Sequence, residues 1–284
     1  MTQAVDDSAG FEWLHRNRRE AKPRRRGVTE IRGPYYSVLG RRGLEDLLEI
    51  AGGAVDALKY GGGSFAVMPP ARVIELNEVA HAHDVLVSTG GFIEYVLTQG
   101  SGAVDRYVDT CKRLGFDIIE LSAGFISLAT DDWLRLIERV QRAGLKAKPE
   151  VGVLFGAGGD SQQRDLDTHA RMDPTMAIKK AKRFLEAGAY MIMVESEGIT
   201  ENTDPWRTDV SMRFAHEVGV ERLMFEAADP RVFSWYVQTL GPDVNLFVDH
   251  SQAVQLEVLR RGLWGPNHLW GRVVSYDGGT SERS

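Results

Sequence analysis

The sequence predicts an α/β protein, namely a single-domain (β/α)8 TIM barrel that follows a basic N-terminal extension. Eight segments with the pattern of β-strands alternate with helical segments, which favours a closed parallel barrel of about 250 residues. Most of these strands end in a charged side chain, and glycine-rich turns follow two of them. The predicted boundaries are 1–26 for the extension, 27–272 for the barrel and 273–284 for a polar tail.

Each predicted strand is a short run of mainly apolar residues bounded by turn or helix signals. In chain order the strands are GVTEI (27–31), VDALKY (55–60), DVLVST (84–89), FDIIELS (116–122), LKAKPEV (145–151), AYMIMVES (189–196), RLMFE (222–226) and VNLFVD (244–249). An open doubly wound sheet is the alternative. That fold usually has fewer strands and a GxGxxG turn after the first one, whereas the first turn here reads IRGPYYSVLGRRG.

Helix signals lie between the strands. The clearest pattern spans 131–143, where apolar residues recur at helical spacing. An Asp before a Pro predicts an N-cap followed by the first helical residue, and these pairs begin at Asp173, Asp204 and Asp229. The glycines predicted to end helices are Gly144, Gly188 and Gly219. Segment 152–174 is too long for a plain connection, so it is a candidate lid.

The composition limits the possible partners. The chain is 43% hydrophobic and 26% charged, as expected for a soluble globular protein. A net charge of -6 gives no bulk electrostatic reason to bind nucleic acid or an anionic membrane. No apolar run approaches the length of a membrane span, and no signal peptide is evident. The single cysteine, Cys111, excludes an internal disulfide and fits a reducing compartment, so we expect a cytoplasmic protein. Its helical sequence pattern predicts a buried structural thiol.

The N-terminal extension has two parts. MTQAVDDSAG is expected to be disordered, and HRNRREAKPRRR is a basic run. A basic run can grip phosphate, RNA or a partner subunit. The interpretation that we favour is an arm that packs across a neighbouring subunit.

Charged residues at the strand ends are the strongest functional signal. Side chains in a strand alternate between its two faces, so Lys146, Lys148 and Glu150 share one face of the fifth strand. Barrel enzymes build their active sites at the C-terminal ends of the strands, where such side chains point inward. The resulting ring consists of Lys59, Glu120, Glu150, Glu195, Glu226 and Asp249.

This ring has two interpretations. Convergent carboxylates suit Mg²⁺, which typically takes one or two of them together with waters and substrate oxygens. The alternative is a Lys–Glu network that merely satisfies its own charges inside the barrel. The candidate ligands are Glu120, Glu150, Glu195 and Glu226, and their spacing does not decide which of them bind metal.

Several features can bind the anionic part of a substrate. Glycine-rich turns at 59–64 and 88–92 let backbone N–H groups approach an anion, although tight turns also need glycine for steric reasons. Ser251 and the start of the last helix can donate N–H groups at the phosphate position common in barrels. Arg260 and Arg261 lie about three turns into that helix, which favours helix-dipole or interface roles for them.

The motifs then resemble those of one family. KYGGGS, STGGFIEY, IIELSAG, KPEVG, MVESEG, MFEA and LEVLRRGLWG occur in the order seen in phosphosulfolactate synthases, over roughly residues 22–272. The family also includes plant heat-stress proteins. The resemblance implies a (β/α)8 barrel, Mg²⁺ dependence and a homo-oligomer, which in this family is a trimer. It also implies addition of sulfite to phosphoenolpyruvate, which gives phosphosulfolactate on the route to coenzyme M.

The resemblance also implies a chemistry for the ring. Sulfite attacks the methylene carbon of phosphoenolpyruvate, and a Mg²⁺ held by glutamates stabilises the enediolate that forms. A lysine whose pKa is brought toward neutrality then protonates the adjacent carbon. The candidate catalytic residues are Lys59, Lys148 and Glu150, and the two lysines are equally good candidates for the acid. The candidate substrate-binding residues are Arg32, Gly61, Gly90, Gly91, Ser122 and Ser251.

The chain is a divergent member of this family. Gly62 stands where the family motif KFGWGTS has tryptophan, and Phe92 replaces the threonine of a GGT turn. Arg32 and Gly33 lie where the first strand usually continues to an aspartate. We therefore expect a carbon–sulfur lyase. The alternatives are a barrel enzyme that acts on a different phosphorylated or carboxylated acid through an enediolate, and a non-catalytic stress-associated interaction protein.

Overall fold

A computed structural model describes residues 11, 13–100, 102–154 and 173–276. Eight parallel strands form a closed barrel in the order β1 to β8. The strands are β1 Thr29–Arg32, β2 Ala57–Lys59, β3 Leu86–Ser88, β4 Ile118–Leu121, β5 Lys146–Val151, β6 Ile192–Val194, β7 Leu223–Glu226 and β8 Leu246–Asp249. The helices are α1 Arg41–Ala51, α2 Pro70–Ala82, α3 Ile93–Leu97, α4 Ala103–Leu114, α5 Thr130–Arg142, α6 Thr175–Glu186, α7 Thr208–Val218, α8 Pro230–Leu240 and α9 Ala253–Arg260. The predicted barrel is confirmed.

The register of the strands sets the level of each charged side chain. Arg32 on β1 is in register with Lys59 on β2 and with Asp249 on β8. Glu120 on β4 is in register with Lys148 on β5. Because adjacent parallel strands hold these positions side by side, charges from distant parts of the sequence meet inside the barrel.

Most of the predicted helix boundaries are confirmed. The pattern at 131–143 corresponds to α5, and helices end next to the three predicted glycines, all of which have positive φ. Asp229 caps α8 by accepting a hydrogen bond from the N–H of Arg231. The start predicted at Asp204 is wrong, since α7 begins at Thr208 and the N–H of Arg207 donates instead to the Ile199 carbonyl.

The apolar core lies mainly between the strands and the surrounding helices. Cys111 of α4 belongs to it, and burial raises the pKa of its thiol to about 12, which confirms the predicted structural role. A smaller apolar group, which includes Met191, Met193 and Met224, fills part of the barrel interior. No helix among the described residues is long and apolar enough to cross a membrane.

The described part of the N-terminal extension packs against its own barrel. The Asn17 amide donates to the carbonyls of Arg260 and Val273, each at 2.9 Å, and accepts from the N–H of Ser275. Arg24 pairs with Asp56 at 2.9 Å. The basic run is thus a strap that joins the barrel to the residues after it, and binding of phosphate, RNA or a neighbour by this run stays a prediction. Residues 1–10, and 155–172 of the candidate lid, lie outside the described residues.

Candidate active site

Alternating charges fill the middle of the barrel. Nζ of Lys148 lies 2.5 Å from Oε2 of Glu30 and 3.1 Å from Oε2 of Glu120. The other oxygen of Glu120 lies 2.8 Å from Nζ of Lys59. We call Glu30, Lys148, Glu120 and Lys59 the charge column. Each of these side chains is at most 7% exposed, so this part of the interior is a Lys–Glu network that neutralises itself, as the alternative interpretation expected.

Carboxylates outnumber ammonium groups at the Lys59 end of the charge column. Nζ of Lys59 lies 3.1 Å from Glu226 and 4.0 Å from Glu150. Glu226 in turn shares a hydrogen bond with Glu195. With the two glutamates of the column included, five carboxylates face two ammonium groups, an excess of three negative charges if all are ionised. Buried charge of this kind requires protons or a cation to offset it.

Burial and neighbouring charge shift the pKa values of these groups. Burial raises the pKa of Glu150 well above 4.5, and the charge of Glu120 raises it further. Burial and Glu226 likewise raise the pKa of Glu195. Burial alone would lower the pKa of Lys59, but Glu120 and Glu226 raise it well above 10.5. The prediction of a Lys59 pKa near neutrality is therefore wrong, because carboxylates from three other strands surround this amine.

A pocket of about 130 Å³ opens at the C-terminal ends of the strands. Its lining residues are Arg32, Tyr35, Tyr36, Lys59, Gly61, Gly62, Gly91, Glu120, Ser122, Glu150, Glu195, Glu197, Glu201, Glu226 and Phe247. The Arg32 guanidinium lies 4.8 Å from the ring centre of Tyr36 and 5.2 Å from that of Phe247. Lys148 does not line the pocket, so of the two candidate lysines only Lys59 can touch a substrate there.

The glycine turns shape this pocket for different reasons. Gly61 and Gly91 line it, as predicted. Gly90 does not line it. A Cβ at Gly90 would lie 2.3 Å from the Tyr60 carbonyl oxygen, so glycine is needed there for the close approach of two backbone segments. Gly62 has a φ of +53°, and a Cβ on it would lie 2.2 Å from the ring of Tyr35. Tyr35 therefore occupies the space next to the position where the family motif has tryptophan.

Ser122 lines the pocket and is also part of its wall. Its hydroxyl donates to Glu94 at 2.5 Å, and Glu94 accepts from the N–H groups of Gly124 and Phe125. Glu94 thus holds the loop after β4. This role of Glu94 leaves no local pattern in the sequence, since its partners lie about 30 residues away along the chain.

Ser251 and Asp249 differ from their predicted roles. Both the N–H and the hydroxyl of Ser251 donate to Asp249, at 3.0 and 2.6 Å, and Gln252 completes a capping box. Neither Asp249 nor Ser251 lines the pocket. The prediction that Ser251 offers an N–H to the substrate is wrong, because the helix cap uses that donor.

Two further carboxylates at the mouth, Glu197 and Glu201, were not among the candidate residues. Glu197 is 3% exposed and follows Glu195 with the same parity, which is the signal that could have identified it. Glu201 accepts from the Ser196 hydroxyl at 2.7 Å. The mouth is therefore more acidic than the candidate residues alone indicate.

The carboxylates fit Mg²⁺ in part. Among the described residues, no group of three or more His, Cys, Asp or Glu side chains is arranged to hold a metal ion. Glu120 is a poor candidate ligand, since its two oxygens face Lys59 and Lys148. Glu195 and Glu226 fit better. Two carboxyl groups need a proton between them to share a hydrogen bond, and a bound cation can take the place of that proton. A pair of carboxylates is the usual protein contribution to a Mg²⁺ site.

Fold and site define the class as a (β/α)8 barrel whose pocket of carboxylates, lysine and arginine lies at the C-terminal ends of its strands, the end at which barrel enzymes act. Residues 17–266 match the (2R)-phospho-3-sulfolactate synthase (ComA) family. The chain therefore belongs to the phosphosulfolactate synthase family.

Two curated relatives show the range of this family. The chain is 39% identical to the protein HEAT-STRESS-ASSOCIATED 32 of Arabidopsis thaliana over 88% of this chain and 91% of that protein. It is 26% identical to the phosphosulfolactate synthase of Methanothermobacter thermautotrophicus over 87% of this chain and 93% of that enzyme.

Solved structures share the fold at low sequence identity. The YdjI aldolase of Escherichia coli matches with a TM-score of 0.52 at 14% identity, over 86% of this chain and 84% of that one. A 2,3-dimethylmalate lyase of the PEP mutase/isocitrate lyase superfamily matches with a TM-score of 0.50 at 14% identity, over 81% and 78%.

Proposed function

We propose that this protein is a Mg²⁺-dependent carbon–sulfur lyase that adds sulfite to phosphoenolpyruvate to give phosphosulfolactate. Family membership supports this reaction type. The structural observation that carries the proposal is the pocket floor, where the Lys59 ammonium lies among Glu120, Glu150 and Glu226 with carboxylates in excess. A site that combines one fixed cation with protonated carboxylates suits a reaction that builds negative charge and then needs a proton.

Arg32 is the proposed binding group for the phosphate. A guanidinium can donate two parallel hydrogen bonds to a phosphate, and the rings of Tyr36 and Phe247 hold this one at the rim. The backbone at Gly61 and Gly91 lines the same pocket and offers further contacts for the small anions. The phosphate then lies at the mouth and the reacting carbons lie over Lys59.

The reaction forms one C–S bond and one C–H bond and leaves the phosphoester intact. The sulfur of sulfite bonds to the methylene carbon, and the electron pair of the double bond moves toward the carboxylate to give an enediolate. The Lys59 ammonium, kept charged by its raised pKa, stabilises that negative charge. Glu150, whose raised pKa favours the protonated form, gives its proton to the adjacent carbon and regains one from solvent.

Glu195 and Glu226 are the proposed Mg²⁺ ligands, with Glu150 beside them. When bound, Mg²⁺ supplies positive charge that favours the ionised carboxylate and its enediolate. Homo-oligomeric assembly as a trimer and a cytoplasmic location remain predictions.

A second candidate function is a stress-associated role without this reaction, or with another carboxylated acid. The observation that favours it is the 39% identity to the plant heat-stress-associated protein, against 26% to the synthase. Tyr35 over Gly62 also changes the pocket wall where the family motif has tryptophan. The two functions differ in a simple readout, namely turnover of phosphoenolpyruvate and sulfite.

The test is phosphorus NMR of the purified protein with phosphoenolpyruvate, sulfite and Mg²⁺. We expect a new phosphoester signal that depends on sulfite and disappears when a chelator is added. Binding of phosphoenolpyruvate without turnover would favour the second function. If the protein neither binds phosphoenolpyruvate nor turns it over, a role for the pocket in this chemistry is refuted.

A matched pair of variants locates the activity. Glu150→Gln keeps the size of the side chain but loses the proposed acid, so we expect turnover to fall by about 10²–10⁴. Glu217→Gln, on the outer helix α7, should leave turnover unchanged. Equal activity in both variants would assign the proton transfer to another group.

A further inference from the structure

A second charged cluster lies at the opposite end of the barrel, where the N-terminal strap crosses the last helix. The side chain of Arg260, at the end of α9, is completely buried, and that of Arg19 in the strap is 2% exposed. The two guanidiniums approach one point, since a Cβ added to Gly27 would lie 3.3 Å from Nη1 of Arg260 and 3.3 Å from Nε of Arg19. Gly27, with a φ of +67°, leaves that space to the arginines.

Three buried nitrogen atoms of this pair have no hydrogen-bond partner in the part of the chain that the structure describes. They are Nε of Arg19 and both Nε and Nη2 of Arg260. The remaining nitrogens are engaged, since Nη1 of Arg260 donates to the Pro242 carbonyl at 2.5 Å and Arg19 contacts Glu257 and the Gly27 carbonyl. Burying a donor without a partner is costly, so these donors call for an acceptor that the described chain does not supply.

The cluster also carries more positive than negative charge. Its four guanidiniums belong to Arg19, Arg24, Arg260 and Arg261. Arg19 and Arg261 contact Glu257 and Arg24 contacts Asp56, so four guanidiniums have two contacting carboxylates, an excess of two positive charges. A third acid, Asp243, acts on Arg260 through space only. Burial lowers the pKa of Arg260 to about 9, so the group is still charged at neutral pH.

We propose that a small inorganic anion of the size of chloride binds between Arg19 and Arg260. The unpartnered N–H groups provide the donors, the excess positive charge selects an anion over water, and the burial of both side chains excludes a large ligand. The anion fastens the strap to α9. It contributes to the stability of the fold and takes no part in the reaction at the other end of the barrel.

The direct test is crystallography of the full chain grown in bromide, with data collected at the bromine absorption edge. We expect an anomalous peak within hydrogen-bond distance of Arg19 and Arg260. A water molecule, or the carboxylate of Asp243 turned onto Arg260, in the same place would overturn the proposal. This experiment uses the unaltered protein and so does not depend on a variant that folds.

A second test follows the thermal midpoint as bromide replaces gluconate at constant ionic strength. We expect the midpoint to rise by about 3–6 °C for each tenfold increase above the dissociation constant. Arg260→Met should abolish this dependence. Arg24→Met is the matched control, because Arg24 is 5% exposed in the same strap but its guanidinium is paired with Asp56, so the bromide dependence should remain. The same dependence in both variants would reveal a general salt effect and sink the proposed site.

Discussion

Replacing Lys59 by methionine is the sharpest test of the charge column. The substitution keeps much of the side-chain volume but removes the ammonium group that lies 2.8 Å from Glu120 and 3.1 Å from Glu226. At an effective dielectric constant of about 20, each of these contacts corresponds to a Coulomb attraction of roughly 5–6 kcal/mol. The cost of burying the charges offsets most of that attraction, so we expect Lys59→Met to lower the free energy of unfolding by about 3–5 kcal/mol.

The assay is thermal unfolding of Lys59→Met beside Lys146→Met. The expected loss corresponds to a fall of roughly 6–20 °C in the midpoint of the Lys59 variant. Lys146 is exposed at the other end of the barrel, so its replacement should change stability by less than about 0.5 kcal/mol. Similar midpoints for the two variants would refute the reasoning, because Lys59 would then not neutralise the buried carboxylates.

The pH dependence gives a second readout of the same variant. The pKa of Glu226 is lowered despite its burial, chiefly by Lys59. A lowered folded-state pKa stabilises the protein above the unfolded value of about 4.5, and this contribution disappears as pH falls through the folded value. The gap between wild type and Lys59→Met should therefore narrow as pH falls below about 4.5. A gap that is constant from acid to neutral pH would point to lost packing instead.

Three further predictions concern the metal, the pocket wall and the thiol. Mg²⁺ affinity measured by calorimetry should rise with pH, and binding should release protons, because Glu195 with its raised pKa must ionise. In Glu195→Gln the Mg²⁺ affinity should fall at least about tenfold. An unchanged affinity would exclude Glu195 as a ligand. Gly62→Ala should lower the free energy of unfolding by about 1–3 kcal/mol, because the added methyl group meets the ring of Tyr35. Adding Tyr35→Ala should recover part of that loss. Additive effects of the two substitutions would contradict the contact. Cys111, with its pKa near 12, should resist alkylation at mildly alkaline pH until the protein unfolds, and rapid labelling of the native protein would show that the thiol is accessible.

The fold could be predicted because its signals are local. Alternation of apolar segments, helix-ending glycines and strand parity each involve a few neighbouring residues, and they were sufficient to place Lys59, Glu120, Glu150, Glu195 and Glu226 inside one barrel. The alternation of side chains along β1 also points Glu30 into the barrel. Its contact with Lys148, however, depends on the pairing of β1 with β8 and β2 that closes the barrel.

The charge state of the site could not be predicted in the same way. The pKa of Lys59 depends on carboxylates from β4, β5 and β7, whose distances follow only from the closed barrel. The contact of Tyr35 with Gly62 joins two separate loops and leaves no pattern in the sequence. The cap formed by Asp249 and Gln252 is a different case, since a capping box is a local motif and would have indicated that the N–H of Ser251 is already used.

The charge column has a consequence for the behaviour of this protein at high temperature. The cost of removing ionic groups from water decreases on heating, because hydration of charged groups carries a strongly negative entropy, whereas hydrophobic stabilisation per unit area reaches a plateau. The buried pairs of Lys148 with Glu30 and of Lys59 with Glu120 should therefore contribute more to stability in the hot protein than at room temperature. The pocket above these pairs should therefore keep its geometry closer to the unfolding temperature than a pocket above a purely apolar interior of the same volume.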